Sequence, residues 1–496
     1  MSRRAVTLLA GAALVSALVA CVTNPATGRK QLIFVSQEQE IRLGQEAHPG
    51  IQAEYGAYDD PRLATLLQEV GGRLAASSER PTLPYTFTLL DSPIVNAFAL
   101  PGGPVYATRG LLAYAQDEAE LAGVLGHEIG HVVGRHGAEQ ASRGQLLQGV
   151  LGIATIARPG VRRYADLLGA GAGLMLMSFG RDAEREADGL GVRYLGRAGY
   201  DPFGLPRYLG VLDALADARG QVLPSWLSTH PDPGSRVATT RGLATPVLER
   251  MRAAGTVPRS AADEFLPRLS GLVYGDDPRE GFQKGATFHH PALRFRYDLP
   301  EGWTSRNTKQ FVASVDDEES PTAQLVLRLV PRETAGELSP QEHAAQVARK
   351  NPQVTLQGTS QVVNGLSAWL GQVSIQDSGG ATQRAHIAWI RHGGLMYELT
   401  GAWSQEAAPG TVSALERSIR SFREERDASV LSVEPAVLRV ELAPRGQSLE
   451  SICRARASDL AAPCEELAQV NRVEAGAVLE TGRRLKLPLR QHPMYP

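Results

Sequence analysis

Residues 126–136 read GHEIGHVVGRH. On a helix His127 and His131 fall four residues apart on one face, about 6 Å between positions, which suits two imidazoles on one tetrahedral metal. Glu128 sits beside that face and can reach a water on the metal without being a ligand, the place a general base needs. A third histidine follows at His136, one short of the position that the longer pattern H-E-x-x-H-x-x-G-x-x-H requires, where this chain has Gly137. An unbroken helix turns His136 about 140° away from His131, so it reads as a surface histidine or one standing behind the ligands.

A catalytic zinc keeps three protein ligands and one open position, so another His, Glu or Asp must come from elsewhere. The stretch RDAEREADGLG, residues 181–191, places Glu184 and Asp188 one turn apart on a helix face. Glu184 can ligate, and Asp188 can accept the free ring N–H of a ligand histidine and fix its tautomer. A solvated charged helix with i,i+4 pairs is the plainer reading of the same residues. Further on, SWLSTHPDPGSR, residues 225–236, sets His230 among two prolines and a glycine, on a loop or helix start.

The HEIGH segment, Arg181 with Glu184 and Ala187-Asp188, Thr229-His230-Pro231 with Arg236, Asn24-Pro25 with Thr27-Gly28-Arg29, and Asn96-Ala97-Phe98 with Pro101-Gly102-Gly103 together resemble one family. It is the HtpX and CAAX-prenyl-protease family of zinc metallopeptidases, in its periplasmic BepA- and LoiP-like branch, and the likeness runs from about Asn24 to Arg236. The resemblance implies a gluzincin type of site, with one Zn2+ per chain on His127, His131 and Glu184. It implies Glu128 as the base, Asp188 and Arg236 behind the ligands, and Asn96, Ala97, Phe98, Ala99 and Leu100 as a strand edge for a peptide substrate. Such an edge gives backbone hydrogen bonds independent of side-chain sequence; an ordinary core strand is the alternative. In relatives the histidine matching His230 lies near the metal, where it would occupy the open position or stabilise the oxyanion. A structural histidine that holds the loop is the third possibility. BepA-like members carry helical repeats at their C-terminus, which this chain does not show.

The start, MSRRAVTLLAGAALVSALVAC, has two arginines, 16 mostly apolar residues and then a cysteine, the pattern of an export signal. Leu18-Val19-Ala20-Cys21 resembles the bacterial lipobox, so residues 1–20 read as a lipoprotein signal peptide and Cys21 as the lipidated N-terminus. The expected location is the bacterial cell envelope, periplasmic side, lipid-anchored in the outer membrane in preference to the inner. With 51 basic and 53 acidic residues the net charge of −2 gives no electrostatic case for nucleic acid. Cys453 and Cys464 remain, and an exported compartment permits them to pair, with two free thiols as the alternative.

Helix and strand signals give an α+β chain in three parts. Residues 21–258 read as a mainly helical, zincin-like metallopeptidase domain with a small sheet. Its signals include a capping box at Ser36 and Gln39, a helix opened by Asp60-Pro61, strands at Tyr85–Leu90 and within Asn96–Leu112, and apolar helices near 146–156 and 167–179. Residues 259–428 read as an α/β sandwich domain, weakly resembling PsbP or Mog-type sandwiches. Its strands are expected at Leu293–Leu299, Leu325–Val330 and Ala385–Trp403, with helices at Pro340–Lys350 and Val412–Arg423. Residues 429–496, with Gly446, Leu449, Ser451-Ile452, Leu467-Ala468, Asn471 and Gly482, resemble a βααβ LysM module, a peptidoglycan binder. The cysteine-bearing stretch departs from the usual LysM spacing, which leaves a small packing domain as the alternative. The reading is a membrane-anchored zinc endopeptidase of cell-envelope proteins, with protein or peptide substrates and peptidoglycan as a further candidate partner. The alternative is an envelope assembly factor or peptidoglycan-bound scaffold whose site is idle or autoinhibited.

Overall fold

The computed structural model describes residues 21–24, 26–151, 179–218, 229–230, 232–352, 354–376 and 382–491. Residues 1–20, the Cys21 side chain and most of the apolar segments expected between 146 and 179 lie outside these. The chain is mixed α+β and forms two units, one of residues up to Gly275 with Ala436–Arg490, the other Asp276–Pro435.

In the first unit, β1 (Cys21–Thr23) pairs antiparallel with β2 (Lys30–Leu32). Helix α1 (Gln37–Tyr55) starts where the Ser36 hydroxyl accepts from the Gln39 N–H and the Gln39 side chain accepts from the Ser36 N–H. Helix α2 (Pro61–Ala76) has proline at its first position, and Asp60 accepts from the Arg62 and Leu63 backbone. Its Leu63, Leu66, Leu67, Val70 and Leu74 recur at helical spacing and enter the core. A three-stranded sheet follows, of β3 (Thr86–Leu90), β4 (Ala97–Ala99) and β5 (Pro104–Thr108), in the order β3-β5-β4 with β4 at one edge.

After α3 (Arg109–Tyr114), Asp117 caps α4 (Glu118–Val133) by accepting from the Glu120 N–H. Every side of α4 is buried, as for a helix through the middle of a core. It is followed by α5 (His136–Leu151), α6 (Arg181–Arg197), α7 (Gly204–Ala218), α8 (Pro233–Ala253) and α9 (Ala262–Arg268). Helices α4 and α6 meet through glycines. A Cβ added to Gly191 would stand 2.9 Å from the His127 nitrogen, and one on Gly130 would stand 2.8 Å from the Ala187 oxygen. Only residues without side chains permit this approach, which brings the first two turns of α6 against the middle of α4.

The chain leaves this unit after Gly275 and returns at Ala436 beside the point of departure. The Tyr274 N–H donates to the Ala436 oxygen and the Leu438 N–H to the Leu272 oxygen, both at 2.8 Å. There follow β6 (Val437–Leu442), α10 (Leu449–Ala455), α11 (Cys464–Asn471) and β7 (Arg484–Leu489), with β6 and β7 antiparallel. Leu449, Ile452, Leu467, Leu485 and Leu487 make a small core, and a disulfide joins Cys453 to Cys464 with Cα atoms 5.8 Å apart. This segment is fastened to the start of α4. Arg472 bonds both carboxylate oxygens of Glu120. The buried ammonium of Lys486 donates to the Ala113 and Ala115 oxygens at 2.6 and 2.8 Å.

The second unit is β-rich. Seven strands form one antiparallel sheet in the order Val354–Val363, Leu366–Gln376, Thr382–His392, Leu395–Trp403, Ala323–Leu329, Phe311–Val315 and Thr304–Asn307. The α/β expectation for this region therefore gives way to antiparallel β with a few helices. The helices Pro340–Lys350 and Thr411–Arg420 stand where the sequence places them. Strand Val354–Val363 escaped notice because VTLQGTSQVV has neither a long apolar run nor clean alternation.

Gly191→Val puts two methyl groups into the α4–α6 crossing. It is expected to lower the unfolding free energy by about 1–3 kcal/mol and to weaken zinc binding, measured by denaturant melts and chelator competition. Wild-type values for both would show that the helices do not touch here.

Candidate metal centre

Helix α4 presents the Nε2 atoms of His127 and His131 3.1 Å apart. From the first turn of α6, Glu184 places Oε2 3.5 Å from the first and Oε1 3.5 Å from the second. His230, just ahead of α8, brings its Nδ1 to 3.4 Å from His127 Nε2 and 2.9 Å from Glu184 Oε1. The four donor atoms lie within 4.8 Å of one another, and all four residues are buried. Two ligands about 2.1 Å from a tetrahedral zinc stand about 3.4 Å apart, so the edges of this cluster have the length a zinc ion spans. Three imidazoles and a carboxylate are also a donor set that zinc favours.

Behind the donors, Asp188 Oδ1 is 2.9 Å from His127 Nδ1, which leaves Nε2 of that ring for the metal. Arg236 forks onto Asp188 at 2.8 and 2.6 Å and reaches Glu184 Oε2 at 2.8 Å. Burial raises the Asp188 carboxyl, but the hydrogen bonds from Arg236 and His127 outweigh it and bring the group down to about 2. Burial, and then the neighbouring His127, His136 and His230, hold His131 well below the ordinary histidine value. A neutral imidazole is the form a metal requires.

Glu128 is buried, and neither of its carboxylate oxygens has a hydrogen-bond partner among the described residues. His230 Nε2 stands 3.6 Å from its Oε1. A buried carboxylate left so is costly unless a water or substrate group completes it. Strand β4, expected as the peptide edge, lies at the edge of the sheet and packs on α4. Ala97 is fully buried and Phe98 stacks on Tyr106 at 4.8 Å, so their side chains serve the core and only the main chain is left to meet a peptide. Leu100 is buried too, Ala99 is half-buried, and the Asn96 Oδ1 has no hydrogen-bond partner among the described residues.

Spacing arguments missed Phe179 and left His136 between two places. Phe179 lays its ring on His131, with centroids 4.1 Å apart at 27°, and its N–H donates to the Thr229 oxygen; it ends an apolar run and carries no motif. His136 is not a surface residue. Helix α4 ends at Val133, Arg135 takes a left-handed φ of 57°, and α5 begins at His136 itself. The break swings the His136 ring back until its Nδ1 is 2.9 Å from His131 Nδ1.

A buried His-Glu-x-x-His helix crossed by a helix that adds a glutamate and an outer aspartate defines a metallopeptidase centre of the single-zinc kind. Residues 61–244 match the family model for peptidase family M48. The beta-barrel assembly-enhancing protease of Yersinia pestis is 35% identical over 267 residues, 51% of this chain and 52% of its own length. That of Escherichia coli strain K12 is 33% identical over 297 residues, 58% and 57% of the two chains. The mitochondrial metalloendopeptidase OMA1 of Schizosaccharomyces pombe is 32% identical over 217 residues, 43% and 63%. The chain thus spans about half the length of the first two relatives. A solution structure of cyanobacterial PsbP from Synechocystis sp. PCC 6803 aligns with 29% of the chain at 10% identity and a TM-score of 0.24, too weak a likeness to bear on the fold.

Asp188→Asn keeps the size of the side chain but weakens its hold on the His127 proton. Zinc affinity is expected to fall by about 10- to 100-fold, read by competition with a chromogenic chelator. Wild-type affinity would make Asp188 only a partner for Arg236.

Proposed function

We propose that the chain is a zinc endopeptidase that hydrolyses peptide bonds of bacterial cell-envelope proteins, in quality control or processing. In this reading it is exported and held at the periplasmic side by a lipid on Cys21, in the outer membrane in preference to the inner. The observation that carries the activity is the buried, unsatisfied Glu128 carboxylate beside the His127, His131 and Glu184 donors. The envelope setting rests on the signal pattern of residues 1–21 and on likeness to proteases named for beta-barrel assembly. No helix among the described residues is long and apolar enough to cross a membrane. The strand-helix-helix-strand segment around the Cys453–Cys464 disulfide is read as a LysM-like contact to peptidoglycan, with exposed Val478 in the turn region before β7.

His127, His131 and Glu184 would hold a zinc ion, which would supply Lewis acidity to lower the pKa of water toward about 7 and polarise the scissile carbonyl. Glu128 takes the water proton and hands it to the leaving amine. The β4 main chain holds the substrate extended, as an added strand. Asp188 and Arg236 keep His127 and Glu184 in orientation.

Four protein donors fill a tetrahedron, whereas hydrolysis needs one position for water. Three of the donors stand on helices, and His230 precedes the Asp232 cap of α8, where φ is 63°. His230 is therefore the donor that yields. With it in place the site is closed, which favours the autoinhibited alternative as the resting state. Once displaced, its imidazole can donate to the developing oxyanion.

Glu128→Gln should retain zinc and lose cleavage of an unfolded protein substrate by about 10²- to 10⁴-fold, while Glu184→Ala should lose most of its zinc. Absence of cleavage by the wild type under all conditions favours the scaffold.

His230→Ala is expected to raise basal cleavage without loss of zinc, measured by casein hydrolysis and metal analysis. A drop in kcat of about 10-fold or more would instead make oxyanion support its main task.

A further inference from the structure

The two histidines of α4 are supported differently. His127 leans directly on a carboxylate, Asp188. His131 leans on another histidine: its Nδ1 is 2.9 Å from His136 Nδ1, and His136 Nε2 is 2.9 Å from Glu186 Oε2. If His131 gives Nε2 to the metal, its Nδ1 must carry the proton and donate to His136. His136 then carries its own proton on Nε2 and donates it to Glu186. A single tautomer assignment therefore runs from the Glu186 carboxylate to the metal, and a ring with its protons placed otherwise breaks it.

The backbone is shaped for this contact. A Cβ on Gly134 would stand 2.5 Å from His136 Nε2, so the ring fits only above a glycine. Arg135 holds its left-handed φ of 57°, a conformation that costs an ordinary residue of order 1–2 kcal/mol. Its guanidinium is tied to Glu40 and to the Val35 oxygen.

The rest of the support comes from the strand pair that begins at Cys21. Arg29 Nε is 2.9 Å from the same Glu186 oxygen, and its other end pairs with Glu139. Gln31 donates to the Gly134 oxygen, and Asn24 donates to the Val133 oxygen at 3.0 Å. Asn24, Arg29 and Gln31 thus close over the turn that presents His136, and Arg29 neutralises the carboxylate behind it.

We propose that His136 and Glu186 are positioning residues for His131, and that Asn24, Arg29 and Gln31 form a strap that holds them, so that residues shortly after Cys21 set the strength of the metal site. This rests on the zinc reading above and extends it to a coupling between the tether and the metal. The partner of the strap is the chain's own α4–α5 turn, not a substrate.

The test uses the full chain, with zinc affinity by chelator competition and the visible spectrum of the Co2+ form as readouts, and the unfolding midpoint of the metal-free protein as control. His136→Leu and Glu186→Ala should each weaken zinc by about 10- to 100-fold and alter the Co2+ spectrum. Glu186→Gln, which keeps an acceptor for His136, should recover most of the loss. Arg29→Ala should weaken zinc in the same direction. Wild-type affinity and spectrum in His136→Leu and Glu186→Ala, or a Glu186→Gln as weak as Glu186→Ala with an equally lowered metal-free midpoint, would overturn the positioning role. Wild-type affinity in Arg29→Ala would overturn the strap. A wild-type protein that takes up no zinc would overturn the metal reading itself, and this inference with it.

Discussion

Helices α4 and α6 lie backbone to backbone because Gly130 and Gly191 carry no side chains. From that contact Glu184 and Asp188 reach His127 and His131, and from it follows the need for Arg236, whose charge compensates two carboxylates that burial would otherwise disfavour. Each group in the centre is buried and ionisable, so none is stable alone. The imidazoles, carboxylates and guanidinium are tolerable only as a set, and a metal ion is the member that turns histidine nitrogens about 3.4 Å apart from a conflict into a coordination shell.

The centre was legible in the sequence wherever its geometry is local. His127, Glu128 and His131 follow from helical spacing alone, and Glu184 with Asp188 from the same spacing on a second helix. His230 was identifiable only through resemblance, since nothing in its surroundings fixes its distance from α4. His136 takes the second of its two expected places, behind a ligand, for a definite reason. The helix does not continue as its periodicity suggests: a left-handed arginine after a glycine breaks it, which no periodicity rule anticipates. Phe179 stands over His131 through a contact across 48 positions of sequence, beyond any local signal.

In the remainder, the capping box at Ser36 and the helix that it opens were readable because capping chemistry is local. The edge strands Thr304–Asn307 and Val354–Val363 were harder, since polar and glycine-containing strands mimic loops. The packing of β7 and α11 on the start of α4 was invisible. Lys486 looks like a surface residue in RRLKLPL, and only its place between two carbonyl oxygens explains why it is buried.

That last contact bears on the order of events in biosynthesis. Arg472 meets Glu120 across 352 positions, and Lys486 meets Ala113 across 373. Pairings so distant form late, because most of the chain must be present before they can repay their loop closure. Until the segment beyond Val470 has emerged, the Ala113 and Ala115 carbonyls just ahead of the metal helix lack their ammonium partner, and Glu120 has Arg207 at 3.3 Å but not Arg472. A nascent polypeptide therefore reaches the HEIGH sequence long before it can seat it.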